Sequence, residues 1–118
     1  MNIREFAIQT GLSAHTLRYY EKIGLLTGVL RNSSGHRQFT AKDLEWVRFI
    51  VRLKETGMPL EQILAYAQLR AAGDSTLEQR QRMLQEHRDT LKAKIENELA
   101  HLQALDAKIQ YYQTIKTP

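Results

Sequence analysis

Gly11-Leu12-Ser13-Ala14-His15-Thr16-Leu17-Arg18-Tyr19-Tyr20-Glu21-Lys22-Ile23-Gly24-Leu25-Leu26, followed after a short turn by Gly35-His36-Arg37, is the stretch that decides the fold. Ser13 has the side chain of a helix N-cap, so a helix is predicted from there to about Ile23. Neighbouring side chains on a helix point about 100° apart, so Tyr19 and Tyr20 cannot enter one core together. Leu17 and Tyr20, three apart, make the inward pair. His15, Arg18, Tyr19 and Lys22 are then left outside, with Ser13 and Thr16 at the helix start. Those residue types suit a duplex: Arg18 can bond phosphate or a guanine edge, and the hydroxyls of Tyr19, Ser13 and Thr16 can bond phosphate.

Working towards the N-terminus, Asn2-Ile3-Arg4-Glu5 has the form of a capping box that opens a short helix with Ile3, Phe6 and Ala7 on one face. Gly11 ends it, and a short glycine-containing turn between two helices is the connection of a helix-turn-helix. Working the other way, residues 27–39 read as a hairpin around Asn32-Ser33-Ser34-Gly35. Gly35 allows the positive φ of a tight turn, and Arg31, His36 and Arg37 flank it as phosphate donors. Thr40 and Asp43 cap a third helix in which Leu44, Val47, Ile50, Val51 and Lys54 follow helical spacing. Gly57 stops it, and Pro59 is expected at the first position of a fourth helix with Leu60, Ile63, Leu64 and Ala67 inward.

Gly73-Asp74 breaks the chain before Ser75-Thr76-Leu77-Glu78, which reads as a second S/T-x-x-E capping box. Neither Gly nor Pro occurs from Leu77 to Lys116, so one helix of about 60 Å is predicted. In heptads, Leu77, Leu84, Leu91, Glu98, Leu105 and Tyr112 fall on d, and Gln81, Arg88, Ile95, Leu102, Ile109 and Lys116 on a. If two copies pair antiparallel with a twofold axis near residue 93, Leu77 meets Ile109, Leu84 meets Leu102 and Leu91 meets Ile95, while Arg88 meets Glu98 and Gln81 meets Leu105. A shift of one heptad leaves Arg88 or Glu98 facing an apolar side chain. The expected architecture is therefore mainly α: a winged helix-turn-helix DNA-binding domain over residues 1–72, then a coiled-coil dimerisation helix over residues 73–118.

Composition agrees with two kinds of work in one chain. The 118 residues carry a net charge of +4. Residues 1–54 hold nine Lys/Arg against four Asp/Glu, whereas residues 55–118 hold eight against nine. The positive excess thus lies in the half that would face a polyanion. No apolar run of membrane-spanning length or signal core is present, so a cytoplasmic, nucleoid-associated protein without a membrane partner is expected. With no cysteine, disulfides and thiolate chemistry are ruled out. His87 and His101 both fall on g, and the antiparallel register would put one beside the other across the dimer. A divalent ion such as nickel, helped by Glu86, could be held there; two surface histidines on a coil flank are the plainer reading, and no cofactor is expected. Enzyme activity is not expected either, because Ser13 and His15 have no positioned carboxylate and no phosphate-cradling glycine loop occurs. A protein-binding scaffold is the competing class.

The chain resembles the MerR family of bacterial transcription regulators. The resemblance rests on Leu17-Arg18-Tyr19-Tyr20-Glu21, Ile23-Gly24-Leu25-Leu26, Gly35-His36-Arg37-Gln38-Phe39-Thr40, Asp43-Leu44, Phe49-Ile50 and Leu53-Lys54-Glu55-Thr56-Gly57-Met58-Pro59-Leu60. It implies a homodimer on a palindromic promoter spacer. Transcription would be activated, or dually regulated, by bending and untwisting that spacer for bacterial RNA polymerase. It also implies DNA-backbone contacts from Arg18, Tyr19, Arg37 and Lys54, with His36 where a tyrosine is common. Gly57-Met58-Pro59-Leu60, Ala72-Gly73-Asp74-Ser75-Thr76-Leu77 and Lys108-Ile109-Gln110-Tyr111-Tyr112 resemble the short branch associated with aldehyde and thiol stress. That branch commonly senses through a cysteine near the position of Arg52, so its inducer does not carry over. Little chain remains beyond the dimer helix for a dedicated ligand pocket.

Overall fold

A computed structural model describes residues 1–116; residues 117 and 118, the end of the expected coil segment, lie outside it. Helix α1 (Ile3–Thr10) opens with the expected reciprocal cap, Glu5 N–H donating to Asn2 Oδ1 at 2.8 Å and Asn2 N–H to Glu5 Oε1 at 3.5 Å. It closes on Gly11 at φ 74°, a left-handed turn that an L side chain resists. Helix α2 (Ala14–Ile23) follows, capped by Ser13 and ended by Gly24 at φ 89°. Strands β1 (Leu30–Arg31) and β2 (Arg37–Gln38) pair antiparallel, with Leu30 opposite Gln38 and Arg31 opposite Arg37. Then come α3 (Ala41–Glu55), α4 (Leu60–Ala72), a 3-10 turn (Asp74–Thr76) and α5 (Leu77–Lys116).

The core of the first unit, Met1–Met83, is assembled from one face of each short helix. Leu17 and Tyr20 are buried as the spacing predicted, and Phe6, Val47 and Ile50 are fully buried. Phe6 and Phe39 stack face to face, with centroids 4.1 Å apart and planes 3° from parallel. This ring pair is locked by the chain start: Met1 and Phe39 exchange two hydrogen bonds, ammonium to carbonyl at 2.8 Å and amide to carbonyl at 2.7 Å. The end of the wing is thereby sewn to the start of α1, a pairing of residues 38 apart that no local pattern announces. Trp46 is buried on α3, and its indole N–H donates to the Leu25 carbonyl at 2.8 Å, so the residue just past the α2 cap is held by α3.

Three local expectations are corrected. Pro59 is the N-cap of α4 rather than its first helical residue. Leu60 is 40% exposed, and Tyr66 with Ile63 and Ala67 supplies the buried face instead; at the first turn of α4, residue 60 lies outside the contact with α3. Ser75 does not open α5 with a capping box. A 3-10 turn intervenes, and the Thr76 hydroxyl lies 2.6 Å from the Leu69 carbonyl and 2.8 Å from that of Gly73, with Arg80 Nε donating to Thr76 Oγ1. The 3-10 turn takes up Ser75, and the Thr76 hydroxyl serves carbonyl acceptors left by the end of α4, so α5 starts only at Leu77.

Helix α5 runs 40 residues and buries none of its side chains. Within the second unit, from Leu84 onward, Ile95, Leu99, Leu102, Leu105 and Ile109 are each at least half exposed. An apolar seam left open along a helix is unfavourable in water, and helical propensity alone does not offset it.

Candidate nucleic-acid interface

Every residue that helical spacing assigned to the outside of α2 is there. His15, Arg18, Tyr19 and Lys22 are exposed, whereas Leu17 and Tyr20 are turned into the core. Tyr19 keeps 47% of its surface, so it is not a lid over the hairpin. At the helix start the two hydroxyls divide their duties. Ser13 Oγ accepts from Thr16 N–H at 3.0 Å and lies 2.9 Å from Thr16 Oγ1. If Ser13 gives its proton to Thr16, the Thr16 hydroxyl proton remains for an outside acceptor.

The wing turn is built by Asn32. Its Oδ1 accepts from Ser34 N–H at 2.9 Å and His36 N–H at 3.0 Å, while Asn32 N–H donates to the His36 carbonyl at 2.8 Å. Gly35 takes φ 81° at the tip. His36 is exposed there. Arg31 and Arg37 lie directly opposite one another across the ladder. Both reach one carboxylate oxygen of Glu21 on α2, Arg37 Nε at 2.9 Å and Arg31 Nη2 at 3.2 Å. Arg31 also donates to the Gly35 carbonyl at 3.2 Å. Glu21 was singled out by no motif reading except as part of the family run. It offsets the repulsion of two facing arginines and fixes the wing against the second helix, leaving a net positive charge on the triad.

Lys54, at the end of α3, donates from Nζ to the Tyr20 hydroxyl at 3.1 Å and lies 5.4 Å from the centre of that ring. Tyr20 is 2% exposed, so its polar tip needs a partner and Lys54 provides one. The contact also holds the ammonium beside α2. Thus α2, the wing and the end of α3 bring Arg18, Tyr19, Arg31, His36, Arg37 and Lys54 into one tied unit. Among the described residues, no group of three or more metal-ligating side chains gathers in the chain, and His101 lies 3.5 Å from the Asn97 amide. Among the described residues, no helix is long and apolar enough to cross a membrane.

Comparison with known proteins gives this arrangement its setting. Residues 1–70 match the model of the MerR HTH family regulatory proteins, and residues 44–108 match the MerR DNA-binding model. An HTH-type transcriptional regulator of Haemophilus influenzae is 39% identical over 110 residues, covering 93% of this chain and 82% of its own. AdhR of Bacillus subtilis is 41% identical over 91 residues, 77% of this chain and 65% of its own. A MerR-type crystal structure from Listeria monocytogenes superposes with TM-score 0.89 at 40% identity, covering 97% of this chain and 86% of that one. HiNmlR, a MerR family regulator lacking the sensor domain and bound to promoter DNA, superposes with TM-score 0.84 at 37% identity, covering 98% and 91%. These relatives are transcriptional regulators, not enzymes, and the chain belongs to the MerR family of DNA-binding transcriptional regulators.

Proposed function

We propose that the protein acts as a homodimer that binds a palindromic promoter spacer and activates, or dually regulates, transcription by bending and untwisting the DNA for RNA polymerase. The observation that carries this reading is the apolar seam of α5, where Leu77, Ile95, Leu102, Leu105 and Ile109 are each more than half exposed. A second copy running antiparallel covers it with largely apolar layers, Gln81 opposite Leu105 being the exception, and brings Arg88 opposite Glu98. The dimerisation set is then Leu77, Leu84, Arg88, Leu91, Ile95, Glu98, Leu102, Leu105 and Ile109. Within one chain Arg88 is only 3.1 Å from its exposed neighbour Asp89, a pair too solvated to compete strongly. Two reading units joined through their helices demand two half-sites at one spacing, and a duplex that does not present them so must deform. In this reading the backbone and groove contacts are Ser13, His15, Thr16, Arg18, Tyr19, Lys22, Arg31, His36, Arg37 and Lys54, with residues 1–72 as the DNA-binding part and residues 73–118 as the dimerising part.

Cysteine crosslinking tests the pairing. With Leu91→Cys and Ile95→Cys in one chain, oxidation should join residue 91 of one copy to residue 95 of the other; efficient joining of 91 to 102 would instead rule out this register.

Contact by α2 is tested separately. Arg18 is exposed and forms no ion pair among the described residues, so Arg18→Ala should leave folding intact. Loss of a charge-assisted contact at each half-site is worth about 1–3 kcal/mol, about 2–6 kcal/mol over the two half-sites, so operator affinity should fall by roughly one and a half to four orders of magnitude over the dimer. The dependence on salt should flatten with it. Unchanged affinity, measured by fluorescence anisotropy on a duplex selected from random sequence, would remove α2 from the groove.

A further inference from the structure

The sequence left little room for a ligand pocket, yet the first unit contains a cleft of about 580 Å³ between α3, α4 and the start of α5. That volume lies within the usual range for small-molecule sites. Its wall is aromatic: Trp46, Phe49 and Tyr66 cluster with ring centres 5.9 to 6.4 Å apart, Phe49 half-buried and the other two buried, so that Phe49 offers the most accessible ring. Its rim is cationic, with Lys42, Arg48, Arg52, Arg70 and Arg80 against the single acid Glu45.

None of these five cations has a carboxylate partner within 4.0 Å among the described residues. Those that are held are held by neutral groups. Arg48 donates to the Gln9 carbonyl at 3.3 Å, Arg80 to Thr76 Oγ1 at 3.0 Å and to the Gly73 carbonyl at 3.1 Å, and the Arg70 guanidinium lies over the Trp46 ring at 4.2 Å. The orientation of Arg48, Arg70 and Arg80 is thus set while the charge of all five remains uncompensated, which favours an anion. Nor is this the duplex-facing charge. Arg52 and Lys54 are two residues apart on α3, about 200° around the helix, and Lys54 is turned to Tyr20 of α2.

From this geometry we infer that the cleft binds a small organic anion with a planar apolar body: the body lies along the aromatic wall, and its carboxylate pairs with Arg70 and Arg52. The site is also wired to the reading helix. The Trp46 ring that carries Arg70 is the ring whose N–H holds the Leu25 carbonyl, one residue past the α2 cap. Ligand binding that moves Trp46 therefore acts on the α2 end directly, which gives the regulator a ligand input without a cysteine.

Trp46 is the only tryptophan in the chain, so its indole N–H gives a single assigned cross-peak in a 1H–15N spectrum of the full-length protein. The test needs no DNA and is independent of the dimer's operator. Titration with 2-naphthoate should move that peak saturably, and the neutral isostere 2-naphthamide should move it at least tenfold more weakly. Arg70→Gln should raise the apparent Kd at least tenfold. Arg52→Gln, which removes an exposed side chain with no bonded partner, should raise it at least threefold with the rest of the spectrum unchanged. Equal response to acid and amide, parent-like binding by both variants, or no response at millimolar naphthoate would each overturn the inference. So would a Trp46 peak that ignores naphthoate and moves only on dilution, because the cleft would then be filled by the second copy of the chain.

Discussion

Replacing Ile95 by lysine should convert the proposed dimer to monomers and lower operator affinity by about 10²–10⁴-fold, the gain that linking two binding modules ordinarily confers. Ile95 is 57% exposed in the single chain, and lysine is a good helix former, so the helix itself should survive. The cost falls on pairing. In the antiparallel register each introduced ammonium faces Leu91 of the partner subunit beside the twofold axis, where it loses water and gains no counter-charge. Asn97→Lys makes the same charge change outside the seam and should leave assembly as it was. Sedimentation equilibrium and anisotropy on the same samples read the two effects together. A variant at Ile95 that stays dimeric and binds as the parent does would refute the seam.

The second large effect is expected at Phe6. Its ring is fully buried and stacked on Phe39, and Phe→Ala at such sites costs about 3–5 kcal/mol. A domain of this size has about 5–15 kcal/mol in hand, so Phe6→Ala should unfold at markedly lower urea. The consequence reaches the wing: Phe39 follows β2 and is bonded twice to Met1, so losing the ring beneath it loosens the strand that carries Arg37. Ile8→Ala, two residues along on the 77% exposed face of α1, should change stability by no more than about 0.5 kcal/mol. Urea melts followed by Trp46 fluorescence measure both. A loss below about 1 kcal/mol for Phe6→Ala would show that the stacked pair is not a keystone of this core.

Sequence and structure divide the remaining evidence along a physical line. The caps at Asn2–Glu5, Ser13–Thr16 and Thr40–Asp43, the inward pair Leu17 and Tyr20 and the outward set around Arg18 all depend on groups within four residues of one another. Helical geometry places them wherever the helix forms, so the run from Gly11 to Leu26 could be read before any coordinates. The start of α5 shows where such reading stops. Ser75-Thr76-Leu77-Glu78 is a cap by pattern, but Ser75 is taken into a 3-10 turn that the Thr76 hydroxyl ties to the Leu69 and Gly73 carbonyls, and only the path of the chain out of α4 decides that.

The sequence by itself therefore determined the caps of α1, α2 and α3, the exposed face of α2, the uneven charge and the apolar seam of α5, because each follows from local backbone geometry or from side-chain periodicity. Tertiary structure alone decided what the charges do. Glu21 restrains Arg31 and Arg37 from 10 and 16 residues away, Lys54 meets Tyr20 across 34 residues, and five cations from three helices border one aromatic cleft. The energy of a charge depends on distance and solvent exposure rather than on spacing along the chain, and both are set only when α2, the wing, α3 and α4 close on a common core.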